Sequence, residues 1–189
     1  FIRECHGDLH LGNITLIDGR VTLFDCIEFN AELRWIDVFS DVAFLVMDLD
    51  DRHYRNYAFH FLNAYLQRSG DYQGLGVLRY YMVYRALVRA KVAMLRRQQA
   101  ARDTALFGSA DAEYSQYIQL AAGYLAPEQP ALLITCGLSG SGKSTVARQL
   151  SETSGMIQLR SDVERKRLSG LDAADKSRSG LDEGLYSAS

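Results

Sequence analysis

Proline is nearly absent from this chain. Its two prolines, Pro127 and Pro130, fall together in APEQP at 126–130. That stretch alone carries a proline break, and it is read as a linker. Cysteine is scarce too. Cys5, Cys26 and Cys136 are scattered, odd in number and without metal-ligand spacing. This excludes a disulfide framework or a zinc module and suggests reduced thiols in a cytoplasmic protein. Cys26 and Cys136 stand in apolar runs and are expected to be small buried hydrophobes. Neither sign of charge dominates: 21 Lys and Arg face 23 Asp and Glu, a net charge of −2. No nucleic-acid partner is expected from such a balance. Nor is a membrane partner, since no apolar run nears the roughly 18 residues of a span. The opening FIRECHGD is polar and charged, unlike a secretory leader. The single Trp35 is expected to anchor packing between strand and helix.

What is present divides at the linker. Before it, ITLIDGRVTLFD (14–25) reads as two short strands around an Asp18-Gly19 turn. From Asp37 onward the pattern is helical, with Gly70 as a stop. A long helix is expected at about 75–100 and another at about 110–124. After the linker, ALLITC (131–136) reads as a buried strand, followed by a Gly/Ser loop and the helix KSTVARQLSE. MIQLR (156–160) reads as a second strand. Ser161 and Glu164 have capping-box spacing for a helix that Gly170 ends. Strand, loop, helix, strand, helix is the opening of a parallel α/β domain. Chemistry-bearing residues appear at once, the first residue is Phe1 rather than Met, and no closing element follows LYSAS. A piece of a longer protein is expected.

Residues 137–145, GLSGSGKST, fill the pattern G-x-x-x-x-G-K-[ST]. Glycines at Gly137, Gly140 and Gly142 let the backbone curl so that N–H groups of Leu138, Ser139, Ser141 and their neighbours face phosphate oxygens. A helix starting at Lys143 adds its positive end. Lys143 can reach the outer phosphates, and the Ser144 hydroxyl can ligate Mg²⁺, with Thr145 beside it. ATP with Mg²⁺ is the expected cofactor. Asp162, just past the second expected strand, either orients and deprotonates a substrate hydroxyl or caps a helix beside Ser161. GLSGSGKSTVARQL followed by IQLRSDVERKRL resembles the small P-loop kinases of the gluconate-kinase, polynucleotide-kinase and zeta-toxin type.

Residues 6–13, HGDLHLGN, place His6, Asp8 and Asn13 at the H-x-D-x-x-x-x-N spacing of a kinase catalytic loop. Twelve residues after Asn13, Asp25 closes an expected strand. An Asp beside an acceptor hydroxyl takes its proton, while an Asn and a second Asp hold Mg²⁺ against the phosphates. HGDLHLGNI, FDCIEFN and IDVFSDVAFLVMDL together resemble the aminoglycoside/choline-type phosphotransferases, a branch of the protein-kinase-like fold. That resemblance implies Asp8 as catalytic base and Asn13 and Asp25 as metal ligands. It also implies Asp41 as a buried brace of the loop and Glu28 as an aid to the metal. His10 and Asp37 look like loop-support or surface residues. Gly7 stands where protein kinases carry Arg, and Cys26-Ile27 where they carry Phe-Gly.

The order of the halves resembles bacterial two-domain proteins with a phosphotransferase-like N-terminal half and a P-loop kinase-like C-terminal half. The implied architecture is the mostly helical C-lobe of a protein-kinase-like phosphotransferase (1–125, without its N-lobe), the linker 126–130, and the first half of a P-loop NTPase parallel α/β domain (131–189). The implied activity is ATP-dependent transfer to a small-molecule phosphate acceptor. The competing reading is an ATP-binding regulatory module with an inactive phosphotransferase-like half. Arg85, Arg89 and Arg96 share one helix face to within roughly 40°. They are expected to form a solvated face with ion pairs rather than an anion site. The tyrosines near 80–84 are expected to pack, and His53 and His60 lack ligand partners at helical spacing.

Overall fold

A computed structural model describes residues 1–99, 104–127, 129–138 and 140–171. The elements are strand β1 (Ile2–Glu4), hairpin strands β2 (Ile14–Ile17) and β3 (Arg20–Leu23), a single helical turn α1 (Ala31–Arg34) and strand β4 (Trp35–Asp37). Helices α2 (Val38–Asp51), α3 (Arg55–Ser69), α4 (Leu75–Gln99), α5 (Thr104–Tyr124), α6 (Lys143–Ser154) and α7 (Ser161–Leu168) follow. The described fold is mixed: mostly helical, with two small two-stranded sheets. Chain contacts separate two compact units. One holds Phe1–Ala58 and Gln73–Leu133; the other holds Phe59–Tyr72 and the chain from Ile134.

The first unit is organised on α2. Phe39, Val42, Ala43, Phe44, Val46 and Met47 are all buried. A helix apolar on nearly every side is stable only when enclosed, and α2 packs against α4, which pairs along its length with α5. Asp37 starts α2 by accepting the Phe39 N–H at 3.0 Å. Antiparallel β1 and β4 pair Arg3 with Ile36. In the second sheet Ile17 faces Arg20, so Asp18 and Gly19 form a two-residue turn with both φ angles positive, the geometry that suits the strands' twist.

Several expectations change here. Cys26 and Cys136 are exposed, Trp35 is 52% exposed, Tyr80 is largely open to solvent, and Tyr84 is about half exposed. Of the arginine stripe, Arg85 is buried. Arg89 and Arg96 pair with Glu113 of α5 at 3.7 and 2.9 Å, the interhelical ion pairs expected of that face.

Residues 131–136, where the chain passes from the first unit to the second, and 156–160 form no strand. Leu132, Leu133 and Ile134 are exposed. A strand exists by its ladder, and neither segment has a partner strand among the described residues. The backbone of 156–158 is served instead by one amide. Asn63 on α3 donates to the Met156 carbonyl at 3.1 Å and accepts the Gln158 N–H at 2.6 Å. The expected capping box is also replaced. Helix α7 begins at Ser161 with Arg160 as its uncapped N-terminal neighbour, and Glu164 pairs with Arg167.

Candidate functional site

The His6–Asn13 loop is held by backbone geometry first. Gly7 has φ +84°, and a Cβ there would lie 2.8 Å from the Leu33 carbonyl. Only glycine suits that conformation and approach. The Gly7 N–H donates to both Asp41 carboxylate oxygens, at 3.1 and 3.0 Å. Asp41 is buried, as a brace must be. Leu11 to Asn13 then form a short 3-10 turn that His10 caps, its Nδ1 accepting the Gly12 N–H at 3.0 Å. With Nδ1 accepting, the proton of neutral His10 sits on Nε2, 3.3 Å from Asp8 Oδ2.

Asp8 is thus gripped from two sides. Asn13 Nδ2 donates to its carbonyl at 2.9 Å and to its Oδ2 at 3.1 Å. The His10 hydrogen bond is the largest influence on Asp8. With Asn13 and the Arg85 charge it outweighs burial and holds the carboxyl below the usual range. Asp8 is an ionised acceptor, as a proton-accepting base requires.

Asn13 and Asp25 are tied through Phe24. The Phe24 N–H donates to the Asn13 carbonyl at 3.1 Å. The Phe24 carbonyl accepts His6 Nε2–H at 2.8 Å. Asp25 follows with φ +58° and an exposed side chain. Glu28 is exposed and accepts the Cys26 thiol at 3.8 Å. Among the described residues no three His, Cys, Asp or Glu side chains converge on a metal-sized space. The Asn13 amide oxygen and the Asp25 carboxylate are hard oxygen donors. They fit a magnesium ion that takes one or two protein ligands and completes its shell with water and phosphate.

Two contributors are invisible in the motif. Arg85 reaches from α4 to donate from Nη1 to the Gly7 carbonyl at 3.0 Å and from Nε to the Ser40 carbonyl and hydroxyl, both at 3.1 Å. Its Nη2 lies 3.7 Å from Asp41. Burial lowers its pKa from the ordinary arginine value while the neighbouring Asp41 charge works to raise it. Asp48 on α2, fully buried, accepts the Leu11 N–H at 2.9 Å and Arg52 Nε at 3.3 Å. A carboxylate two turns past Asp41 in SDVAFLVMDLD, inside an apolar helix, was the one available signal for it.

In the second unit the P-loop residues Gly137, Leu138 and Gly140–Thr145 run directly into α6; Ser139 lies outside the described residues. Gly142 precedes the helix with φ +84° and no capping side chain. The Ser141 N–H turns back onto the Leu138 carbonyl at 3.2 Å. Lys143 Nζ donates to the Gly137 carbonyl at 2.6 Å, and also to the Leu138 carbonyl. Ser144 and Thr145 are exposed. A lysine over a glycine curl, at a helix start that no side chain caps, is a donor set suited to phosphate.

Asp162 sits in the first turn of α7. Arg160 grips it with two bonds, 2.7 Å from Nη2 to Oδ2 and 3.3 Å from Nε to Oδ1. Burial works to raise its carboxyl, but Arg160 prevails and holds it below the usual range. Its carboxylate also accepts the backbone N–H groups of Asp162 and Val163 in the first turn of α7, as the helix-capping alternative expects.

Comparison with known proteins agrees with the second unit. Residues 132–187 match the AAA domain family, which marks this half as P-loop and kinase-like. The whole chain is similar to the uncharacterized protein Rv2004c of Mycobacterium tuberculosis and the uncharacterized protein Mb2027c of Mycobacterium bovis. Each is 36% identical over 98% of this chain. The chain spans 36% of the length of either relative. No solved structure matches it.

Proposed function

We propose that this chain is part of an ATP-dependent small-molecule phosphotransferase. Mg-ATP binds at Gly137–Thr145, and a second, kinase-like catalytic loop lies at His6–Asn13. The observation that carries this reading is the complete G-x-x-x-x-G-K-S loop opening straight into uncapped α6, within residues similar to the AAA domain family.

Each residue has a role that its chemistry supports. Lys143 donates to the outer phosphates, and the Ser144 hydroxyl offers a magnesium ligand. Magnesium supplies charge neutralisation between phosphate oxygens. Asp162 accepts or orients an acceptor hydroxyl in the P-loop half, with Arg160 holding its carboxylate. In the first loop Asp8 would take the acceptor's proton as the acceptor oxygen bonds to the γ-phosphorus of a second ATP held at that loop and the bridge to its ADP breaks. Asn13 and Asp25 would be the oxygen ligands of a magnesium ion there, while Asp41 braces the loop and His6 ties it to Phe24.

Calorimetric titration of Mg-ATP into this chain, beside Lys143→Ala, tests the nucleotide site. Saturable binding that weakens at least about a hundredfold in the variant is expected, since the lysine is a principal charge on the phosphates. Equal affinity in both proteins would remove Lys143 from the site. In the full-length protein, Asp8→Asn is expected to abolish transfer by the first loop while leaving the fold intact.

A further inference from the structure

Beside Asp8 the first unit forms an open-mouthed cavity of about 390 Å³. Its polar wall is made by Asp8, Asp37, Tyr81 and Tyr84, and its apolar wall by Ile27, Ile36 and Val88. Asp37 keeps one oxygen on the Phe39 N–H, and the Tyr81 hydroxyl bonds its carboxylate. Arg85 also touches this space, but its guanidinium is already committed. Three of its donor contacts go to Gly7 and Ser40, and its charge is matched by Asp41. Asp8 and Asp37 both face the cavity, and the one cation among the described residues of its wall, Arg85, is shared between Asp41 and Asp8.

We infer that this cavity receives the phosphate acceptor of the first loop, and that the acceptor is an alcohol with a compact apolar body and no anionic group. The inference rests on the phosphotransferase reading above and adds the substrate's character to it. An apolar wall contributes affinity through buried area. An anion entering between Asp8 and Asp37 meets repulsion from two carboxylates that the single Arg85 charge, already shared with Asp41, offsets only in part. Phosphorylated sugars and carboxylic acids are excluded, while a hydroxyl placed near Asp8 has the acceptor it needs.

Two isosteric probes test this by protein-observed NMR titration of this chain: cyclohexanemethanol and cyclohexanecarboxylate. The alcohol is expected to bind in the millimolar range typical of fragments and to perturb the ring signals of Tyr81 and Tyr84. The carboxylate should bind at least tenfold more weakly. Val88→Phe, which fills the cavity, should weaken the alcohol about tenfold. Asp37→Asn keeps a side-chain oxygen for the start of α2 but removes one charge. It should strengthen the carboxylate by several-fold, a gain that misfolding does not produce. Carboxylate binding equal to that of the alcohol, or alcohol binding indifferent to Val88→Phe, would overturn the inference. These readouts are of binding alone. A transfer-competent protein that fails them refutes the substrate class, whereas an inert protein that passes them refutes the phosphotransferase role.

Discussion

Asp41 and Asp48 stand two helical turns apart on α2, and each holds a different backbone N–H of the same loop. Asp41 takes Gly7 and Asp48 takes Leu11. Seven residues of helix advance about 10.5 Å, so one rigid rod fixes the loop on both sides of Asp8. The Asp8 carboxylate is placed less by its own contacts than by a spacing built into a buried helix.

The first consequence concerns Asp48. Its Oδ1 is buried without a hydrogen-bond partner, so the residue is retained against a desolvation cost. Asp48→Ala leaves the Leu11 N–H unpaired and should cost about 1–3 kcal/mol. Denaturant unfolding measures that cost. Hydrogen exchange should show protection lost at Leu11 and kept at Gly7. Equal loss at both amides would mean that the two carboxylates do not act separately.

Arg85 should tolerate no substitute. Arg85→Met leaves Asp41 buried without its countercharge, and breaking buried pairs typically costs about 3–5 kcal/mol. Arg85→Lys keeps the charge but loses the fork that reaches Gly7 and Ser40 together. It is expected to recover less than half of the lost stability in thermal unfolding. Full recovery would reduce Arg85 to a point charge.

The Asp8 carboxyl links loop geometry to pH. Because the folded protein holds it below its ordinary value of 3.8, mainly through His10, the ionised form favours the fold. That stability is complete above the unfolded-state value and is lost as pH falls through the lower folded value. His10→Ala should bring the Asp8 titration back toward 3.8, as followed by carboxyl ¹³C NMR. Acid unfolding should begin at a higher pH. An Asp8 titration unmoved by the substitution would show that Asn13 and Arg85 suffice.

Gly7→Ala combines a left-handed φ with a carbonyl 2.8 Å from the new Cβ. The conformational term alone is about 1–2 kcal/mol, and the close approach adds to it. Circular-dichroism melts should show clear destabilisation. A neutral result would mean that the loop relaxes away from Leu33.

The sequence made the local features legible and left the tertiary ones hidden. The glycine curl before Lys143, the Asp18-Gly19 turn, the stop at Gly70 and the helices all follow from rules acting over a few residues. Asp8 beside Asn13 followed from motif spacing, since both belong to one tight turn. Arg85 was hidden because helical periodicity groups it with Arg89 and Arg96. Its burial comes from α2 and the loop, distant in sequence. In the sequence His10 looks like a loop-support or surface residue, and its cap on Gly12 fits the first; only the folded turn brings its second nitrogen to Asp8. The apolar runs 131–136 and 156–160 have strand composition, but ladder partners decide strands. In the second run Asn63 supplies the bonds that a neighbouring strand would.

The two-point hold on the loop sets rules for insertion and deletion. The chain from Gly7 to Leu11 is measured against the pitch of α2. One residue added or removed there would take an amide off its carboxylate and swing Asp8 with it. The Asp18-Gly19 turn, exposed and, among the described residues, tied only to its own strands, has no such gauge. Length variation among related chains should collect at that turn, while the interval between Gly7 and Leu11 stays constant.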